Sequence, residues 1–349
     1  IEMGTLQRDM MKHGLPPNGA VSRMPGAPAK KLPQKRSFEP LSWEAFFDEK
    51  RFVTVGKDTF NVYLKGCSGP IFFLLHGGGY SGLTWACLAT ELLDRVDCRV
   101  VAPDLRGHGK SACENEEDLS MERQTKDISA IWECLFPSSS SSFSSPEEHA
   151  AVIVVGHSMG GALAVHLVQK ELIKSATVAG LVVIDVVEGT AMEALGMMSS
   201  FLSSRPASFE SEEAAVKWCL QSGTVRNSKA ARVSMPAQVR LHNEDNRFHW
   251  RIDLRRSEPH WIGWFSGLSQ AFVRCPPAKM LVLAGTDRLD KDLMIAQMQG
   301  KFQTTVLPRV GHAVQEDSPD RLADELARFI IRHKLATAKG GMQFNIPTC

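Results

Sequence analysis

The sequence predicts an α/β protein, a mostly parallel sheet with helices on both faces and a helical segment inserted between two strands. Three observations carry this. Apolar runs such as Pro70–Leu75 and Ala151–Val155 are strand-sized and lack polar alternation, as strands buried on both faces do. They alternate with longer segments of helical apolar spacing, the pattern of a parallel sheet. Residues 189–274 break that alternation over a stretch too long for an ordinary connection.

The elements follow in order. Residues 1–37 hold five prolines and little with which to build a core, so they read as a disordered tail. Lys30, Lys31, Lys35 and Arg36 form a basic cluster there, either a nuclear address or a solvated charge run. The aromatic anchors Phe38, Trp43, Phe46 and Phe47 open the folded core, assigned to 38–188 and 275–335. Phe52–Val55 and Thr59–Leu64 form a hairpin about Gly56-Lys57-Asp58. Strands follow at Pro70–Leu75, Cys98–Ala102, Ala151–Val155 and Ala179–Val187, with helices at Ser81–Leu93, Leu119–Leu135 and Ala162–Leu172 between them. The serine-rich 137–146 segment is a low-complexity surface loop. The 189–274 insertion contains helix-like pieces at Ala191–Leu202, Glu210–Gln221 and Ala230–Val239, together with Trp218, Trp250, Trp261 and Trp264. Alternation resumes with strand Lys279–Ala284, helix Lys291–Gly300, strand Thr304–Leu307 and helix Asp320–His333, and 336–349 is a loose Gly-containing tail.

Composition narrows the function. In 349 residues, 40 Lys and Arg face 39 Asp and Glu, a net charge of +1. That argues against nucleic acid as a partner, because phosphate binding needs a cationic surplus. No apolar run approaches the length of a spanning helix, so no membrane partner is expected. The eight cysteines form no C-x-x-C pair and no zinc-ligand spacing, so neither metal nor cofactor is expected. They read as free thiols in a reducing compartment. Ile1–Gly26 is polar and unlike a secretory signal. The expected location is intracellular, the cytoplasm with the nucleus as a second compartment.

Two motifs carry chemistry. Gly156-His157-Ser158-Met159-Gly160 follows a β-branched strand and precedes a helix, the context of a nucleophile elbow. A turn that tight leaves room only for glycine two residues to either side of the serine. The peptide groups at Ser158 and Met159 begin the helix, so their N–H groups lack internal partners and suit an anion. His76-Gly77-Gly78-Gly79 ends a buried strand and matches the loop that supplies a second oxyanion donor, taken as Gly78. His312 lies after the last strand, where a loop faces the same sheet end as Ser158, and is the candidate base. The acid is Asp185 or Asp287. Asp185 sits in an apolar run, where a carboxylate is costly unless a partner such as a protonated histidine compensates it. Asp287 stands beside Arg288 in a polar loop.

Longer strings then resemble one family. HGGGYSGLTWA (76–86), VVGHSMGGALAVH (154–166), VVIDVVEGTAMEAL (182–195), LAGTDRLDKDLMIAQMQGKFQ (283–303) and GHAVQEDSPD (311–320) are similar to the protein phosphatase methylesterases of the α/β-hydrolase fold. The resemblance runs from Phe38 to the C-terminus, with the 138–145 serine loop expanded and Leu241–Phe248 shortened. It implies Ser158 as nucleophile, His312 as base and Asp185 as acid. It further implies hydrolysis of a methyl ester on the C-terminal leucine of the protein phosphatase 2A catalytic subunit. The 189–274 insertion would form pocket walls and a docking face, its tryptophans serving either an interface or ordinary core packing, and activity would depend on docking. The rivals are a small-molecule esterase of the same fold and a non-catalytic binding protein.

Overall fold

The computed structural model describes residues 37–137, 151–285 and 289–340. Most of both expected tails, the serine-rich loop and Asp287 lie outside the described residues.

The chain opens with the hairpin β1 (Glu49–Val55) and β2 (Asp58–Lys65), then β3 (Ile71–Leu75). Next come α1 (Ala86–Arg95), β4 (Arg99–Pro103), α2 (Met121–Leu135), β5 (Val152–His157), α3 (Met159–Gln169) and β6 (Val178–Ile184). The segment that follows holds α4 (Glu188–Ser204), β7 (Ser208–Phe209), α5 (Glu212–Ser222) and α6 (Ser228–Ser234). It continues through β8 (Val239–His242), β9 (Arg247–Trp250), α7 (Glu258–Phe265) and α8 (Leu268–Arg274). The chain closes with β10 (Ala278–Ala284), α9 (Lys291–Met298), β11 (Gln303–Leu307), α10 (Val314–Asp317) and α11 (Pro319–Arg332). Among these described residues no helix is long and apolar enough to cross a membrane.

Eight strands form one sheet in the order β1-β2-β4-β3-β5-β6-β10-β11. Pairing is parallel from β4 to β11 and antiparallel for β1–β2 and β2–β4. The apolar runs split by the strand period of two. Phe72 and Leu74 of β3 pack in one core with α1 and α11, while Ile71, Phe73 and Leu75 pack in the other with α2 and α3. Ile153 and Val155 of β5 face the first core, and Val152 and Val154 the second. That is why the strands show no polar alternation.

Three boundaries differ from expectation for local reasons. The helix expected at Ser81–Leu93 begins as a 3₁₀ turn, Gly82–Trp85, before α1. Gly82 lies against β4, where an added Cβ would stand 2.6 Å from the Ala102 carbonyl oxygen. The helix expected from Ala162 begins at Met159. The strand expected to reach Val187 ends at Ile184, because Asp185 takes φ 52° and leaves the sheet.

The 189–274 insertion holds more than the three expected helices. It contains a three-stranded antiparallel sheet in the order β7-β9-β8 and two further helices. Its two ends are stapled together: Glu188 accepts from the Gly267 N–H at 2.8 Å and the Ser269 N–H at 3.0 Å, which fixes the start of α8 to the start of α4.

One buried charge network anchors the loop after β4. Arg106 is 1% exposed and donates to Asp127 at 2.6 and 3.0 Å, to Asp58, and to the Asn115 carbonyl at 2.8 Å. Burial pushes the Asp58 carboxyl up, but the Arg106 bond, the Glu114 N–H and the charges of Arg106 and Arg123 outweigh it and hold the group below its usual value. Removing Arg106 leaves the two buried carboxylates with only the half-exposed Arg123, which stands 2.5 Å from Asp58 and 3.1 Å from Asp127. Arg106→Met should therefore cost on the order of 3–5 kcal/mol in urea unfolding. Adding Asp58→Asn and Asp127→Asn should recover part of that loss.

Candidate active site

The β5–α3 turn builds the site. Ser158 takes φ 53° and ψ −120°, a conformation that costs a residue with a side chain on the order of 1–3 kcal/mol. Hydrogen bonds hold it there: the Ser158 N–H donates to the Ile184 carbonyl at 3.0 Å, and the Gly161 N–H donates to the Ser158 carbonyl at 2.8 Å. The flanking glycines are sterically required. A Cβ on Gly156 would lie 2.1 Å from the Gly160 carbonyl oxygen, and one on Gly160 would lie 2.2 Å from that of Leu75.

Ser158, Met159, Gly78 and His312 line one cavity of about 120 Å³. Among the described residues, neither the Met159 nor the Gly78 N–H donates to a protein acceptor. The Gly79 N–H is already committed, donating to His108 Nε2 at 2.9 Å. Gly78 itself is not demanded by space, since an added Cβ would only touch Leu254 at 3.5 Å and Met159 at 3.8 Å.

Three histidines that sequence reasoning left without a role shape this backbone. His108 Nδ1 donates to the Arg106 carbonyl at 2.7 Å, which leaves Nε2 as the acceptor for Gly79. Burial pushes the His108 pKa down to about 4, so the acceptor nitrogen is unprotonated at neutral pH. His76 donates from Nδ1 to the Gly77 carbonyl at 2.8 Å and accepts the Leu105 N–H at 3.0 Å, with burial holding it neutral. His157, beside the serine, donates from Nε2 to the His312 carbonyl at 2.8 Å. Burial first, then the neighbouring His312, lowers its pKa well below the ordinary value. The available signal for His108 was its setting between Gly107 and Gly109.

His312 Nδ1 donates to Asp185 Oδ2 at 2.7 Å. The other carboxylate oxygen, Oδ1, accepts the Ala284 N–H at 2.8 Å, and the Asp185 side chain is fully shielded from solvent. The left-handed backbone at Asp185 turns the chain off β6, with its own N–H donating to the Val282 carbonyl at 2.8 Å. Asp185 and His312 are thus brought together, and Ser158 and His312 share the cavity.

The rest of the cavity wall is mostly apolar, interrupted by Arg205, Thr224 and Gln238, with the four tryptophans of the insertion in it. Trp261 and Trp264 are each 4% exposed, so they serve core and pocket rather than an outer face. Their ring N–H groups donate to Ser257 Oγ and the Leu119 carbonyl, both at 2.7 Å. Trp218 and Trp250 pack edge to face at 5.5 Å.

The helix after His312 carries a second buried carboxylate. Glu316 is fully buried and accepts from the Thr84 hydroxyl and, at 2.8 Å, from the Ser234 hydroxyl. Gln315 donates to Thr84 Oγ1 at 3.0 Å and to His157 Nδ1 at 3.3 Å. Burial pushes the Glu316 pKa up to about 8.

This arrangement of sheet, turn and histidine defines an α/β hydrolase, and the family model described as "Alpha/beta hydrolase family" matches residues 72–325. Solved structures agree on the fold. An E-2-(acetamidomethylene)succinate hydrolase superposes with TM-score 0.65 at 22% identity, over 81% of this chain and 99% of that one. An esterase from M. tuberculosis superposes with TM-score 0.60, over 94% and 97%. Sequence relatives are more specific. The Caenorhabditis elegans protein named "Probable protein phosphatase methylesterase 1" is 56% identical over 96% of this chain and 87% of its own length. The Homo sapiens protein phosphatase methylesterase 1 is 41% identical over 99% and 100%, and that of Schizosaccharomyces pombe 40% over 85% and 86%. The chain belongs to the protein phosphatase methylesterase family of α/β hydrolases.

Glu316 gives this site a pH signature. Its folded pKa of about 8 lies above the ordinary 4.5, so the folded state binds the extra proton. The stability it contributes is complete below 4.5 and is lost as pH rises through about 8. Glu316→Gln should flatten the fall in unfolding free energy across that window, measured by urea titration at a series of pH values.

Proposed function

We propose that this methylesterase removes the methyl group from the esterified C-terminal leucine of the protein phosphatase 2A catalytic subunit, releasing methanol. The observation that carries the reading is the bond from His312 Nδ1 to the buried Asp185 carboxylate. It fixes the tautomer in which Nε2 is the unprotonated nitrogen and can act as the base. In this reading His312 removes the Ser158 proton and Ser158 Oγ attacks the ester carbonyl. The oxyanion is held by the N–H groups of Gly78 and Met159, donors worth about 3–4 kcal/mol each in comparable sites. Methanol leaves with the proton from His312. Water then attacks the acyl-enzyme, with His312 again as base, and the free carboxylate departs. Asp185 keeps the imidazole oriented and stabilises its protonated form. The names of the relatives support a phosphatase as substrate and partner. The apolar cavity wall suits a leucine side chain. The insertion, which walls the cavity, is proposed as the docking face, with activity depending on that docking.

Mass spectrometry of the methylated phosphatase tail tests this directly. Wild-type protein should remove one methyl group and Ser158→Ala none. Asp185→Asn should slow the reaction by about 10⁴, while Asp287→Asn should cost much less. Reversed effects of the two would reassign the acid. Whole methylated phosphatase should give a higher kcat/KM than its isolated tail peptide; equal constants would return the insertion to a static wall.

A further inference from the structure

Beside the cavity lies a second, larger cleft of about 530 Å³, and Leu202, Arg205 and Trp250 line both. These three residues form the boundary that the two share, so the cleft adjoins the cavity that holds Ser158. Five arginines and three carboxylates line it. Each carboxylate is matched: Arg251 pairs with Glu116 at 2.6 Å, Arg255 with Asp253 at 2.9 Å, and Arg256 with Glu117. Five cations less three anions leaves two, and these are Arg205 and Arg240. Neither makes a hydrogen bond or ion pair among the described residues. His242 and His249 also line the cleft, and His249 donates to Asp245 at 2.7 Å, so neither ring supplies a negative charge.

Arg205 is the more telling of the two. Its guanidinium lies 4.1 Å from the centre of the Trp250 ring, and its Nε is shielded from solvent without an acceptor. Burial lowers its pKa to about 10, so it remains charged at neutral pH. A half-buried cation with a shielded Nε and no ion pair of its own is costly, and the field of Asp253, which Arg255 already pairs, and stacking on one indole offset only part of that. Such a group is complemented by an acceptor that arrives with a ligand.

We propose that this cleft holds the peptide segment preceding the esterified terminus, and that Arg205 and Arg240 select substrates carrying a carboxylate side chain there. The inference rests on the reading that the ester sits on a peptide C-terminus. It adds a specificity element outside the reacting atoms.

The test uses peptides ending in leucine carboxamide, an uncleaved stand-in for the ester, with glutamate or glutamine at successive positions before the leucine. Calorimetry on the full chain should find one position at which glutamate binds about tenfold tighter than glutamine, as expected for a charge-assisted bond replacing a neutral one. Raising the salt should erode the preference. Arg240→Gln changes an exposed side chain and should reduce it severalfold, and Arg205→Gln/Arg240→Gln should abolish it. Arg240→Glu should turn the preference toward lysine at that position. Equal affinities at every position, or a preference that survives in the double variant, would overturn the proposal. Hydrolysis of the matching methyl esters separates the two readings. Cleavage without a charge preference removes the cleft inference alone, and a charge preference without cleavage removes the esterase reading alone.

Discussion

The site depends on how closely α3 passes the end of β3. A methyl group on Gly160 would stand 2.2 Å from the Leu75 carbonyl oxygen, and one on Gly156 would stand 2.1 Å from that of Gly160. That approach presses the serine turn against the His76-Gly77-Gly78 loop, so candidate nucleophile and candidate oxyanion donors share one cavity. Ser158 is held in its unfavourable backbone conformation by contacts on both sides: its N–H reaches β6, and its carbonyl accepts from the first turn of α3. The cost is small beside the burial gained by packing α3 on the sheet, where most of its residues are buried.

Buried neutral histidines extend that constraint across the sheet end. His76 ties the loop after β3 to the loop after β4, His108 ties the same two loops in the opposite direction, and His157 ties the serine turn to the His312 backbone. Each ring donates from one nitrogen, and His76 and His108 each accept a backbone N–H with the other. Lysine has no acceptor and could not act in this way. Full burial keeps the rings neutral, since protonation would remove the acceptor and strand a charge. Four histidines thus sit close together in different roles, and His312 alone among them bonds to a carboxylate among the described residues.

The legible parts of the molecule were those where sterics or desolvation restrict residue type. Gly156, Ser158 and Gly160 could be read because few residues fit that turn, and Asp185 as one of two candidate acids because a carboxylate in an apolar run needs a partner, the choice over Asp287 coming from the family resemblance. The parallel sheet was legible from its unbroken apolar strands. The scaffold histidines were not, because a ring's role is set by groups far away in sequence: His157 to Gln315 spans 158 residues. The sheet of the insertion was equally hidden. Its strands β8 and β9 are four residues long and mostly half-exposed, so they show no burial pattern of their own. In the polar string Gln315-Glu316-Asp317, Glu316 reads as a solvent-facing charge, yet hydroxyls from Thr84 and Ser234 meet it in the interior.

Through Ser234 and the tryptophan wall, the insertion touches both the helix that follows His312 and the cavity itself, so the packing of the fold and the cavity wall share residues. The central claim is that Ser158 on its strained turn is the nucleophile. Fluorophosphonate labelling followed by fragment mapping tests it most directly. The account predicts one label per chain, on Ser158, with methyl-ester turnover falling in proportion to labelling. Full turnover after complete labelling, or a label on another residue, would contradict it.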